Sequence, residues 1–580
     1  MEAQYSILKG IPAAPGLAQG KIVIVANQAL AIPEHTIDDV EEEISRLDKA
    51  RQISKSEILQ LKETVKTGSA GNEAEIFEAH SMIIDDVSLI KMANKDISSG
   101  KNAEAACMKA IEFFAQQMEA IPDETLASRA LDIRDVGRRV LRHLLGVEND
   151  ATQLETPAII VGRDLSPSDT VSLDKSLVLA FCTAEGGPTS HTAILAKAFG
   201  LPAVVGLGED LLDIPAGTYI MVDGEAGEVT ITPDEAQIAS FSQRQSEADR
   251  SKQVALKAAF EPAVTKDGVR VEIVANIGGV EDAKFANENG AEGVGLFRTE
   301  FLYLDRRALP TEDEQIAAYR EIFNHFEEQP VVVRTLDIGG DKEIPYLNFP
   351  KELNPFLGWR GVRMLDGRDD IFRIQIRSLL QAGVGVDLRI MVPMVALKEE
   401  ILAVRGILDE ERTKLQKEGK PVAEQVQFGI MVEVPSVAII SDRIAGLIDF
   451  FSIGTNDLTQ YTLAVDRTNS QVARLASAFH PAVLHLIQRT IQSAHAVGKW
   501  VGLCGEFAGE PLAIAILLGL GLDEFSMSPA SIPVIKQLIR QLSLSDCRSM
   551  ANKALMLSTA GEVQAFAKDY LADLGINSKP

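Results

Sequence analysis

Hydrophobic positions along the chain change their spacing region by region, and each change predicts a different kind of structure. Residues 1–24 hold two strand-like pieces around Pro12-Ala13-Ala14-Pro15-Gly16. From Pro33 to Leu145 the text is rich in Glu, Lys and Ala and sparing of Gly and Pro, which predicts a bundle of several antiparallel helices over residues 25–145. Residues 146–232 switch to short β runs (Ala158–Val161, Leu177–Ala180, Tyr219–Val222). Asp223-Gly224 and Ala226-Gly227 then turn the chain into Val229–Thr232, a hairpin signal. The β pieces of 1–24 are expected to join this α/β region, leaving the helical bundle as an insertion. Pro233–Phe260 is polar and glycine-free, a connector helix within 233–262.

Residues 263–580 alternate apolar β runs with helical stretches. Candidate strands are Val271–Asn276, Gly293–Phe297, Val331–Leu336, Leu388–Val392, Phe428–Val434, Phe450–Ile453 and Trp500–Leu503, with Gly358–Arg363 as a weaker eighth. About eight βα units over some 300 residues predict a parallel (β/α)8 barrel of TIM type. A doubly wound open sheet is the alternative, disfavoured by the strand count.

Composition narrows the partners. Acidic side chains number 83 against 57 basic ones, a formal net charge of −26, which argues against nucleic acid or an anionic membrane as a partner. The four cysteines (Cys107, Cys182, Cys504, Cys547) have no paired spacing for zinc or a disulfide framework. Met1–Ser6 lacks the basic flank and apolar core of a signal peptide, and the longest apolar run, Pro511–Leu522, is too short for a membrane span. A soluble, cytoplasmic protein of several domains is expected.

Two places carry candidate chemistry. In Gly186-Gly187-Pro188-Thr189-Ser190-His191-Thr192-Ala193-Ile194, a strand-like run precedes the glycine pair, and Ala193–Phe199 reads as a short helix stopped by Gly200 and Pro202. His191 thus falls in a first helical turn, beside unpaired N–H groups and the positive end of the macrodipole, where anionic groups are favoured. A nucleophilic imidazole there suits phosphoryl capture.

The second place is the set of strand ends, where barrel enzymes carry their reactive groups. These ends hold Asn276, Arg298 with Glu300, Arg334 with Asp337, Glu433, Asn456 with Asp457, and Cys504 with Glu506; Arg360 and Arg467 lie nearby. Guanidinium forks recognise phosphate and carboxylate, and the oxygens of Glu433 and Asp457 suit a magnesium ion with open positions. A small, strongly anionic substrate bearing both phosphate and carboxylate is implied. The residues alone leave Cys504 either a small buried hydrophobe or a proton donor.

Over essentially its whole length the chain resembles the enzyme I family of the bacterial phosphoenolpyruvate:sugar phosphotransferase system. The resemblance rests on Gly10–Gly16, Gly290–Phe301, Asp337-Ile338-Gly339-Gly340-Asp341-Lys342, Asn354–Arg360 and, most strongly, Phe450–Tyr461. It implies that phosphoenolpyruvate phosphorylates His191, releasing pyruvate, and that the phosphoryl group passes to a histidine of the carrier protein HPr. Arg298, Arg334, Arg360, Asn456 and Arg467 would bind phosphoenolpyruvate, assisted by Lys342. Glu433 and Asp457 would hold Mg²⁺, and Cys504 would protonate the enolate. The family further implies a homodimer through the barrel and carrier binding by the helical insertion.

Two features depart from the family pattern. Pro188 stands where many relatives have arginine, and the stretch Ile76–Asp86 matches the carrier-contacting helix only in its first half. His80 within it reads as a surface interaction residue. Two rival functions fit the residues less well. A pyruvate phosphate dikinase or phosphoenolpyruvate synthase would need a nucleotide-binding domain before His191, whereas the residues there lack a Gly-rich phosphate loop. A regulatory protein without turnover would not be expected to keep His191, Glu433, Asp457 and Cys504 together.

Overall fold

The computed structural model describes residues 6–25, 32–66, 71–119, 124–147, 154, 156–165, 173–187, 190–304, 306, 308–339, 344–347, 349, 352–467, 469 and 471–576. The chain divides into two compact units, Met1–Glu247 and Ala248–Pro580.

In the first unit, five helices follow one another: α1 (Val40–Lys66), α2 (Gly71–Ile84), α3 (Val87–Ser98), α4 (Ala103–Glu119) and α5 (Glu124–Leu145). Their apolar stripes bury a core that includes Leu47, Ile58, Phe77, Ile97, Ile111 and Val140. Charged side chains close the helix ends. Asp86 caps α3 by accepting from the Ser88 and Leu89 N–H groups at 2.7 and 2.9 Å. Arg51 donates to the last carbonyl of α2, that of Ile84, at 3.0 and 3.1 Å.

The same unit carries an eight-stranded mixed sheet built from β1 (Ser6–Lys9), β2 (Ile11–Ala14), β3 (Leu17–Ile24), β4 (Ala158–Gly162), β5 (Val178–Thr183), β6 (Ala203–Val205), β7 (Tyr219–Asp223) and β8 (Glu228–Ile231). Their order is β1-β8-β7-β3-β4-β5-β6-β2. Strands from before the helices therefore pair with strands from after them: Ile22 faces Ile159, and Leu17 faces Asp223. Helix α6 (His191–Phe199) follows β5 and packs Ala193, Leu195 and Ala196 on Phe181 and Val205. Helix α7 (Glu235–Lys257) begins against this sheet, where Gln19 donates to Ser242 and Gln245, and Arg244 pairs with Asp223 at 2.8 Å.

The second unit is a closed parallel barrel. Its strands are β10 (Arg270–Ile277), β11 (Val294–Arg298), β12 (Pro330–Arg334), β13 (Asp387–Val392), β14 (Val426–Val432), β15 (Phe450–Ile453), β16 (Trp500–Leu503) and β17 (Glu524–Met527); the short β9 (Ala263–Val264) pairs antiparallel with β10. Each strand pairs with the next, and β10 bonds both β17 and β11, which completes the ring. The eighth strand is thus Glu524–Met527. Gly358–Arg363 is no strand: a 3-10 turn covers Gly361–Met364, and Arg360 precedes it in extended backbone. Gly361 at φ 56 breaks any β run there. Among the described residues, no helix is long and apolar enough to cross a membrane.

Candidate active site at the barrel mouth

Arg298 and Arg334 are the last residues of β11 and β12 and face each other in register. Parallel strands placed side by side thereby aim two guanidinium groups from one end of the ring. Arg334 is buried between two carboxylates, Glu300 at 2.7 Å and Asp337 at 3.1 Å. Burial works against its charge, but Glu300 and Asp337 outweigh that cost and raise its proton affinity. Among the described residues its Nε has no hydrogen-bond partner. Arg298, by contrast, is exposed.

Arg360 reaches the same place from its loop. Its Nε and Nη2 hold the two oxygens of Asp337 at 2.9 and 3.0 Å, and Nη2 also reaches Asp457 at 3.1 Å. Asp337 is thus shared by two buried arginines. Asp457 lies in the first turn of the helix Thr455–Leu463 that follows β15. One turn on, Tyr461 presents its hydroxyl 3.5 Å from Arg360 Nη1 and donates to the Phe356 carbonyl at 2.5 Å. Arg467 is half-buried, its Nη2 4.0 Å from Asp457. Asn456 accepts from the Glu506 N–H at 3.4 Å.

Glu433 follows β14 and is fully enclosed. It accepts from the Met394 N–H at 2.5 Å, and Met394 adopts φ 61, a left-handed conformation that costs a non-glycine residue energy. Burial, then the negative charges of Asp457 and Asp337, push the Glu433 carboxyl up to about 8, against the pull of Arg360 and Arg334. Cys504 follows β16, buried, with Sγ 3.8 Å from the Ile453 carbonyl. Burial pushes its thiol up to about 11, although Ser452, Arg334 and Arg298 favour the thiolate. At neutral pH the sulfur therefore carries its proton.

The structure brings together Arg334, Arg360, Glu433, Asp457 and Cys504, and places Arg298 on a strand end, Asn456 in the first turn of the helix Thr455–Leu463 and Arg467 on the loop after it, all at the same ring end. Lys342 lies outside the described residues, as do Pro188 and Thr189. His191 opens α6 in the first unit; its side chain lies outside the described set. Thr192 beside it bonds Asp164 at 3.2 Å. His80 is not a surface residue. Its ring is 1% exposed, with Nε2 3.3 Å from Asp132 and Nδ1 3.7 Å from Asp135, and it packs edge-on against Phe77. Met394 and Tyr461 escaped the sequence reading, although Tyr461 carried a signal at i+4 from Asp457.

Among the described residues no three His, Cys, Asp or Glu side chains form a metal-binding group. Glu433 and Asp457 nonetheless fit Mg²⁺, which takes one or two carboxylates and leaves other positions to water and substrate oxygens. The proton affinity of Glu433 is raised by burial first and by the neighbouring carboxylates of Asp457 and Asp337 second, and a hard cation bound there would offset both.

Three stretches match PEP-utilising enzyme families: the N-terminal domain over residues 9–129, the mobile domain over 154–227 and the PEP-binding domain over 252–544. The phosphoenolpyruvate-protein phosphotransferase of Priestia megaterium is 46% identical over 97% of this chain and 98% of its own. That of Bacillus subtilis is 45% identical over 97% and 99%. The chain belongs to the phosphoenolpyruvate-protein phosphotransferase family. The phosphoenolpyruvate-protein phosphotransferase of Staphylococcus carnosus is 42% identical over 97% of this chain and 99% of its own. In this member the arginine–carboxylate cluster falls inside the stretch matched to the PEP-binding domain, and α6 inside the stretch matched to the mobile domain.

Proposed function

We propose that the chain takes the phosphoryl group of phosphoenolpyruvate onto His191, releases pyruvate, and passes the group to a histidine of the carrier HPr, the first step of phosphotransferase-system sugar uptake. The observation that carries this reading is the buried Arg334–Asp337–Arg360–Asp457 chain beside an enclosed Glu433 and a protonated Cys504.

Phosphoryl transfer asks a protein for positioned charge more than for covalent help. Arg334 and Arg360 are held by carboxylates before substrate arrives, so little reorganisation is needed when an anion docks. Arg298, exposed at its strand end, adds positive charge for the phosphate or carboxylate, with Arg467, Asn456 and Lys342 completing the grip. Glu433 and Asp457 would hold Mg²⁺, which when bound supplies charge neutralisation at the phosphate oxygens.

The bond from phosphorus to the enol oxygen breaks as a bond to the His191 imidazole forms. The enolate left behind takes a proton on its terminal carbon from the Cys504 thiol, giving pyruvate, and the thiolate regains a proton from solvent. A thiol pushed up to about 11 is in the right state to donate. His191 and the arginines belong to different units, so the reading requires His191 to reach the arginines during turnover. Residues 25–145 are assigned to carrier binding, 1–24 with 146–232 to the phosphohistidine domain, 233–262 to the linker, and 263–580 to substrate binding and homodimerisation, all in the cytoplasm.

Incubation with labelled phosphoenolpyruvate and Mg²⁺ tests the reading. Label should appear on His191 and chase onto HPr; labelling that requires ATP would replace the proposal with a dikinase.

A further inference from the structure

Behind the arginines lies a polar network that meets the groups named above as binding substrate only at the Arg334 backbone carbonyl. Gln375, on the helix Leu365–Ala382, is completely buried. Its Oε1 accepts from the Leu336 N–H at 2.9 Å, and its Nε2 donates to the Thr299 hydroxyl at 3.0 Å and to the Tyr319 hydroxyl at 3.1 Å. Thr299 in turn donates to the Arg334 carbonyl at 2.9 Å. Tyr319 and Tyr303 both donate to Gln315, closing the network behind.

The two segments so tied are those that matter at the mouth. Thr299 sits between Arg298 and Glu300; Leu336 sits between Arg334 and Asp337. Both have left their strands, so no ladder bond between β11 and β12 fixes their separation beyond Arg298 and Arg334. Glu300 ties them on the mouth side, accepting from Arg334 and the Asp337 N–H; behind it a single primary amide, with one acceptor and two donor hydrogens, spans the gap. Hydrocarbon of the same size would leave the Leu336 N–H without its partner in a dry interior.

We propose that Gln375 is a positioning residue for the phosphoenolpyruvate site, its amide setting the spacing of the Arg298–Glu300 segment against the Arg334–Asp337 segment. This rests on the reading given under Proposed function. Misplacing a binding arginine by an ångström is enough to cost about a hundredfold in rate.

The test compares Gln375→Leu with Leu379→Ala, one turn along the same helix and equally buried, well below both melting temperatures. Gln375→Leu should raise the Kd for phosphoenolpyruvate about tenfold in a His191→Ala background, and lower kcat/KM in the His191 enzyme by at least as much. Leu379→Ala should lower the melting temperature and leave both constants within twofold. Should Gln375→Leu fail to fold, Thr299→Val serves: it removes the hydroxyl that links Gln375 to the Arg334 carbonyl, and the same losses are expected. Unchanged affinity in the folded variant, or an equal loss in Leu379→Ala, overturns the inference. Absence of phosphoenolpyruvate turnover in the unmutated protein instead overturns the functional reading on which it stands.

Discussion

Arg360 illustrates how much of this site resides in the shape of one side chain. Its planar fork satisfies both oxygens of Asp337 while reaching Asp457 and Tyr461. A lysine would keep the charge, but a single ammonium cannot span those partners. Arg360→Lys should therefore lower kcat/KM for phosphoenolpyruvate by about a hundredfold or more, measured by pyruvate release; a loss under threefold would show that charge alone suffices. A second test concerns Glu524, at the opposite end of the strands from the site. Its carboxyl is buried, and the nearest cation, Arg389, stands 3.6 Å away, too far for a hydrogen bond. Burial pushes it up from 4.5 to about 8, despite Arg389. The folded protein thus binds a proton that the unfolded chain releases, so stability present at pH 4.5 is lost as pH rises towards 8. Glu524→Gln should flatten that fall and raise the melting temperature at pH 8; an unchanged pH profile would show that Glu524 is ionised in the fold. Single residues were legible where a motif surrounded them, as with Asp457, and illegible where only packing decides. His80 looks like any exposed polar helix residue until Phe77, Asp132 and Asp135 close around it.

At the scale of elements, the barrel was readable because seven of its strands are apolar runs followed by helices. The eighth, Glu524-Phe525-Ser526-Met527, hid because two of its four side chains are polar. One of them has a use that only the closed ring reveals: Ser526 donates to Asn276 at 2.6 Å across the β10–β17 seam. Gly358–Arg363 misled in the opposite sense, offering Trp359 and Val362 in a segment whose Gly361 takes a left-handed turn. The junction after β16 makes a sharper point. A Cβ on Gly505 would collide with the Thr455 side chain and lie 2.8 Å from the Thr455 backbone nitrogen. Gly505 is what allows the β16 end, with Cys504, to lie against the helix that carries Asp457. Gly505→Ala should destabilise by about 1–3 kcal/mol and slow pyruvate release, through displacement of Cys504, more than it weakens phosphoenolpyruvate binding. Equal effects on binding and release would count against a specific role for that junction.

For the whole molecule, the division into Met1–Glu247 and Ala248–Pro580 separates the histidine from the arginines. Helix α7 spans that division, and side chains of each unit tie the part of the chain that belongs to it. Midway along the helix, Gln245 donates to the Leu17 carbonyl at 3.0 Å. Past its end, Lys536 and Arg540 bond the carbonyls of Ala259 and Ala258, both at 3.0 Å. Chain order gave the alternation of regions, but not these ties, which join residues more than two hundred positions apart. The barrel cluster shares no residue with the three clusters of the first unit, so the barrel and the first unit should melt in separate calorimetric transitions. A ligand held by the barrel alone then stabilises one of them, by about 2.7 kcal/mol at a hundredfold excess over its Kd. In a His191→Ala protein, which cannot accept the phosphoryl group, phosphoenolpyruvate with Mg²⁺ should raise the barrel transition by several degrees and leave the other in place. Omitting Mg²⁺, or changing Asp457→Asn, should shrink the shift, because the phosphate would then lack its counter-charge. A shift confined to the first unit would place the substrate with the helices and the mixed sheet, and the arginine cluster would need another purpose.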